Sequence, residues 1–177
     1  MQVRPKRKFF QTQLMPDIIF DTNVLSNFAK AGQLALLREL YPENACCSGF
    51  VVSEVMRGFQ QGHHDLEPLA AWLISGWPRM EELTMSAEKK LFAAISISLG
   101  TGESSCLALA ANRGYIFACD DRLARNEATR LGILLTGTLG ILIKAVRTEH
   151  LELKTANRIL QRMIKAGFYA PIKRIEV

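Results

Sequence analysis

Asp17-Ile18-Ile19-Phe20-Asp21-Thr22-Asn23-Val24-Leu25 is the stretch that sets the fold class. Ile18, Ile19 and Phe20 run together with no polar residue between them, so this segment has no solvent face. That is the pattern of a short parallel strand buried on both sides, and residues 17–20 are read as one. The polar triplet after it consists of helix-capping side chains, and Leu25, Phe28 and Ala29 continue at helical spacing until Gly32. A strand that runs straight into a helix is the first half of a βαβ unit.

The same rhythm recurs along the chain. Leu34, Leu37 and Leu40 predict a second helix with Pro42 beyond its end, and Cys46-Cys47-Ser48 a second strand. Ser53 is expected to cap a helix carrying Val55, Met56 and Phe59, broken by Gly62. A short helix over 66–75 and a short strand near Glu82-Leu83-Thr84 follow. Ser86 starts a helix with Leu91, Ala94, Ile95 and Leu99 inward, and Thr101-Gly102-Glu103 starts another that ends at Gly114. Residues 115–119 give the clearest strand. A helix over 122–131 leads into a last strand, Ile133-Leu134-Leu135, and helices close the chain over 138–146 and 155–166. The expected architecture is a three-layer α/β/α sandwich with a central, mainly parallel sheet. Ligands in such folds bind at the carboxyl ends of the strands.

With 177 residues, 49% of them hydrophobic and 22% charged, the chain is long and apolar enough for one globular domain. No apolar run reaches the roughly 18 residues of a membrane span, and the N-terminus lacks the apolar core of a secretory signal, so no membrane and a cytoplasmic location are expected. Cys46, Cys47, Cys106 and Cys119 form no CxxC pair and read as reduced core residues. The net charge is +5, of which Arg4, Lys6, Arg7 and Lys8 account for +4. Met15 offers an alternative start, which leaves open whether the basic arm 1–16 is native. The division expected is that arm, a domain over 17–147, and a helical extension over 148–177 packed on it.

Four acids stand where strands end or helices begin. Asp21 closes the first strand, Glu54 follows Phe50-Val51-Val52-Ser53, Glu103 opens the helix after Gly102, and Asp120 ends the strand over 115–119. A carboxylate beside such apolar flanks costs several kcal/mol to desolvate and calls for a partner or a task. Four from distant parts of one chain point to a shared divalent cation, and hard oxygen donors suit Mg²⁺ or Mn²⁺ in phosphodiester hydrolysis. Helix capping alone accounts for Asp21-Thr22-Asn23 taken singly, and the helix dipole for Glu54 or Glu103. Neither accounts for all four. No histidine lies near them, and His63-His64 read as loop residues. Trp72 and Trp77 read as core or interface anchors.

The segments Ile19-Phe20-Asp21-Thr22-Asn23-Val24-Leu25, Ser53-Glu54-Val55-Met56-Arg57-Gly58, Gly102-Glu103-Ser104-Ser105-Cys106-Leu107-Ala108-Leu109-Ala110 and Asp120-Asp121-Arg122-Leu123-Ala124-Arg125 resemble, in order, the acidic motifs of PIN domains. The resemblance runs from about Asp17 to Ala145. Gly137-Thr138-Leu139-Gly140-Ile141-Leu142, with Ile164-Lys165-Ala166-Gly167-Phe168, looks like a bacterial and archaeal branch that includes VapC-like toxins. The resemblance implies a Mg²⁺- or Mn²⁺-dependent endoribonuclease, the toxin of a type II toxin–antitoxin pair, acting on RNA, partnered by a cognate antitoxin and forming a homodimer. Asp21, Glu54, Glu103 and Asp120 would bind metal and carry catalysis. Thr22 would help orient the first acid, with Asn23 and Asp121 in support. Asp120, nearer the strand end, is favoured over Asp121 as the fourth acid. Arg122 and Arg125 are candidates for contact with RNA or antitoxin, against a solvated helix face. The competing reading is a non-catalytic PIN-like module that binds RNA or protein.

Overall fold

A computed structural model of the chain describes residues 16–176, and the expected basic arm lies outside the described residues but for Pro16. Five strands form one parallel sheet in the order β3-β2-β1-β4-β5: β1 (Ile18–Phe20), β2 (Ala45–Ser48), β3 (Arg79–Glu81), β4 (Ile116–Ala118) and β5 (Leu135–Thr136). β1 sits in the middle with all three residues buried, as its unbroken apolar run requires. Ile18, Ile19 and Phe20 pair in register with Ile116, Phe117 and Ala118 of β4.

Helices α1 (Thr22–Lys30), α2 (Leu34–Leu40), α3 (Gly49–Gln60) and α4 (Glu67–Ile74) make the crossovers running outward from β1 to β3. Helices α5 (Ser86–Ile95), α6 (Thr101–Arg113) and α7 (Arg122–Arg130) make those running back through β4 to β5. Right-handed crossovers in opposite directions place the two sets on opposite faces of the sheet. The packing agrees. α5 lies on α6 and α6 on α7, whereas α1 touches α2, α3 and α4. Helix α8 (Thr138–Arg147) returns to α1, and α9 (Leu153–Lys165) packs on both, burying Ala156, Ile159, Leu160 and Met163 in the common core. This is the three-layer sandwich that the strand–helix rhythm predicts.

Several local expectations are corrected. Ser48, not Ser53, caps α3: its Oγ accepts from Val51 N at 3.2 Å, while the Ser53 hydroxyl donates back to Gly49 O at 2.9 Å. Phe50-Val51-Val52 is therefore helical, and Glu54 stands in the second turn of α3 rather than its first. The strand expected at 82–84 lies at Arg79–Glu81, and the one expected at 133–135 at Leu135–Thr136. α5 stops at Ile95, and Ala94 faces solvent. All four cysteines are buried and free. Trp77 is buried and Trp72 half-buried, and their rings meet edge-on at 5.2 Å. Among the described residues no helix is long and apolar enough to cross a membrane.

Candidate active site

Strand order reverses direction between β1 and β4, so the crevice at their carboxyl ends is the topological switch point of the sheet. Asp21 follows β1 directly and Asp120 follows β4 by two residues. Asp21 N donates to Ala118 O at 3.0 Å, which ties the two strand ends together.

Asp21 is 1% exposed and caps α1, accepting from Asn23 N at 3.2 Å. Burial, then the nearby charge of Glu103 and, less, of Glu54, push its carboxyl up to about 7 against the backbone hydrogen bonds from Asn23 and Thr22. Glu103 stands in the first turn of α6, and among the described residues no protein donor reaches its carboxylate. Glu54 is held from two sides. Thr22 Oγ1 donates to its Oε2 at 2.5 Å, while Gly102 N at 3.1 Å and Thr101 Oγ1 at 3.4 Å donate to its Oε1. The Thr22 hydroxyl thus holds the second acid rather than the first.

Asp120 is gripped by the start of α8 and by α1. Thr138 N donates to Oδ1 at 2.9 Å, and Thr138 Oγ1 and Asn27 Nδ2 donate to Oδ2 at 2.5 and 3.2 Å. Asp121 instead caps α7, accepting from Ala124 N at 2.9 Å. Arg125 braces the ends of β4 and β5: its Nη1 donates to Cys119 O and Thr136 O, each at 2.7 Å. Arg122 and the side chain of Asn23 face solvent.

Residues 27, 101, 102, 137 and 138 thus position the acids without having been singled out from the sequence. Gly102 carried a signal, because glycine within a first helical turn costs up to about 1 kcal/mol against alanine and asks for a reason. A Cβ there would stand 2.6 Å from Glu54 Oε2. At Gly137 a Cβ would come within 2.5 Å of Asp120 Oδ1 and 2.9 Å of the Cys119 carbonyl, which is backbone and cannot yield. Gly137→Ala is expected to lower stability by about 1–3 kcal/mol, the usual cost of overpacking, and to loosen Asp120. An unfolding midpoint equal to that of the parent would show that Asp120 is not packed against this glycine.

The donor chemistry suits a hard divalent cation. All four acids supply carboxylate oxygens, and Asp21, raised first by burial and then by the charges of Glu103 and, least, Glu54, is a carboxylate that a counter-ion would favour in its ionised form. Their assembly is incomplete. Among the described residues no three His, Cys, Asp or Glu side chains converge closely enough to form a ready metal cage, because Glu54 and Asp120 are turned to protein donors. Asp21 and Glu103, with Glu54 beside them, are the residues that fit such an ion.

No curated protein matches the chain. The sequence model described as PIN domain matches residues 17–177, which extends past the segment that carries the motif resemblance and takes in α9 and the residues after it. PIN domains are generally nucleases and typically use divalent metals, so the fold is of nuclease type. With the whole parallel sheet and all four acids inside that match, the chain belongs to the PIN-domain family.

Proposed function

We propose that the chain is a Mg²⁺- or Mn²⁺-dependent endoribonuclease, the toxin of a type II toxin–antitoxin pair, acting in the cytoplasm as a homodimer under a cognate antitoxin. The observation that carries the nuclease reading is Asp21, a carboxylate buried at the switch point of the sheet and pushed up to about 7 in part by two other acids. A carboxylate perturbed by burial and by neighbouring acids, at the end of a sheet where ligands bind, marks a candidate functional site. The toxin, dimer and antitoxin parts rest on the resemblance of the ordered acidic motifs.

A divalent cation bound there supplies Lewis acidity toward the phosphoryl oxygen and a water of lowered pKa. Asp21 and Glu103 would hold it, Glu103 with a carboxylate that no protein donor reaches among the described residues. Glu54 is presented at the crevice by Thr22 and Gly102 N–H, and Asp120 by Thr138 and Asn27. These fixed donors settle the orientation of both carboxylates before substrate arrives, which removes a reorganisation cost from the reaction.

The hydrogen bonds that occupy Glu54 and Asp120 also favour a second reading, a PIN-like module that binds RNA or protein without turnover. A cleavage time course on single-stranded and structured RNA, in Mn²⁺, in Mg²⁺ and in EDTA, separates the two. Metal-dependent cleavage by the parent, lost in Asp21→Asn, is the expected result. Cleavage undiminished in that variant would sink the assignment, and binding without cleavage in any metal would favour the module.

A further inference from the structure

Helix α9 and the segment after it build a second surface that the acids do not account for. Lys154, Arg158, Arg162 and Lys165 recur at spacings of four, four and three, which lays them in one stripe along the helix, about 6 Å apart. The chain turns at Gly167 and comes back beside α9. Asn157 Nδ2 donates to Ile175 O at 3.1 Å, Asn157 Oδ1 accepts from Ile175 N at 2.7 Å, and Gln161 Nε2 donates to Lys173 O at 2.6 Å. With Ile175 buried, this segment becomes the second wall of an open groove of about 1270 Å³.

Lys154, Arg158, Arg162, Lys165, Lys173 and Arg174 line the groove, and no acid does. Among the described residues none of these six makes an ion pair. Arg4, Lys6, Arg7 and Lys8 already account for most of the net charge of +5, so six cations in one groove leave the rest of the fold acidic on balance. A merely solvated helix face does not need that segregation. The returning segment that walls this groove also lines a second cavity, at the candidate active site. A cavity of about 300 Å³ is lined by Asp120 and Arg125 and by Phe168, Tyr169 and Pro171. Phe168, Tyr169 and Pro171 thus stand at the cavity of the fourth acid and Lys173 and Arg174, further along the same segment, at the cations, and Tyr169 is 93% exposed.

We propose that this groove is a backbone track for single-stranded RNA, which holds the phosphates flanking the bond brought to the acids while Tyr169 stacks on a base between. The proposal rests on the nuclease reading of those acids. Cations at helical-turn spacing suit successive phosphates without reading sequence, and an exposed ring is a platform that tolerates any base. A protein partner would ask for apolar anchors at the centre, and the groove offers only Leu153.

The test measures fluorescence anisotropy of a labelled oligonucleotide of about 12 residues, within the usual site range, bound to the full chain in EDTA across a salt series. Arg158→Gln/Arg162→Gln is expected to weaken binding at least tenfold at low salt. It should also make the plot of log affinity against log salt shallower by about 1.4, two phosphate contacts at roughly 0.7 each. Arg158→Lys/Arg162→Lys should retain most of the affinity, Tyr169→Ala should lose affinity at unchanged slope, and Lys89→Gln/Lys90→Gln on α5 should match the parent. Unchanged affinity and slope in the double Gln variant would overturn the proposal. So would a groove that binds an acidic peptide and ignores RNA. Because no cleavage is required, a parent that binds through the groove yet never cuts would refute the nuclease reading alone.

Discussion

Asp21→Asn is expected to stabilise the metal-free protein at pH 8 while removing its response to Mg²⁺ or Mn²⁺. The folded carboxyl titrates at about 7, against 3.8 for the unperturbed group. Between those values the native state keeps a proton that the unfolded chain has released, so stability falls as pH rises and the whole penalty stands above pH 7. About three units at roughly 1.4 kcal/mol each make that penalty about 4 kcal/mol. Asparagine caps a helix as well as aspartate, so the substitution removes the buried charge and little else. Urea unfolding in EDTA should show the variant more stable than the parent at pH 8, with the gap closing toward pH 4. Mn²⁺ should raise the parent's midpoint at pH 8, by favouring the ionised carboxylate, and leave the variant's unchanged. A variant less stable than the parent at pH 8 would mean that Asp21 is not crowded, and the metal site would lose its main support.

Arg113→Ala is expected to cost about 3 kcal/mol, the lower end for breaking a buried ion pair, since the Arg113 side chain is 18% exposed. Its Nε donates to Glu88 Oε1 at 2.7 Å, Nη1 to Glu81 Oε2 at 2.6 Å and Nη2 to Glu82 O at 2.7 Å. One guanidinium thus ties the end of α6 to β3 and to α5, so its loss loosens the helix whose first turn carries Glu103. Glu88 is 0% exposed, and without Arg113 its charge would stay buried with only Thr84 N and Met85 N as donors. Burial works to raise the Glu88 carboxyl, but the hydrogen bonds from Arg113, Met85 N and Thr84 N outweigh it and hold the group below the ordinary glutamate value. This pairing therefore contributes stability above that ordinary value and loses it as pH falls through the folded one. Denaturation followed from pH 8 to pH 3 should find the Arg113→Ala deficit full at pH 8 and shrinking in acid. A deficit independent of pH would assign the loss to packing alone.

What could be read from the sequence, and what could not, divides by the kind of force involved. β1 and β4 were legible because they are buried on both faces and keep unbroken apolar runs. β3 and β5 lie at the sheet edges, so their positions are set by the pairing of Met80 with Cys47 and Leu135 with Phe117 rather than by an apolar run of their own. Ser53 read as the cap of α3 because serine is a preferred capping residue, which left Phe50-Val51-Val52 outside the helix. The Ser48 cap, whose hydroxyl also meets Ser105 Oγ at 2.6 Å from across the core, makes them helical.

By itself the sequence determined the alternation of strand and helix, the parallel sheet and the four acids placed along it, since apolar periodicity and capping chemistry act over a few residues. Tertiary structure alone decided which of those acids is buried and crowded, that Thr22 serves Glu54, that Asp120 is clasped by Asn27 and Thr138, and that six cations share one groove beside α9. Asn27 and Thr138 meet across a separation of 111 residues. Desolvation and hydrogen-bond partnership depend on what the fold brings together in space, and no local pattern carries that information.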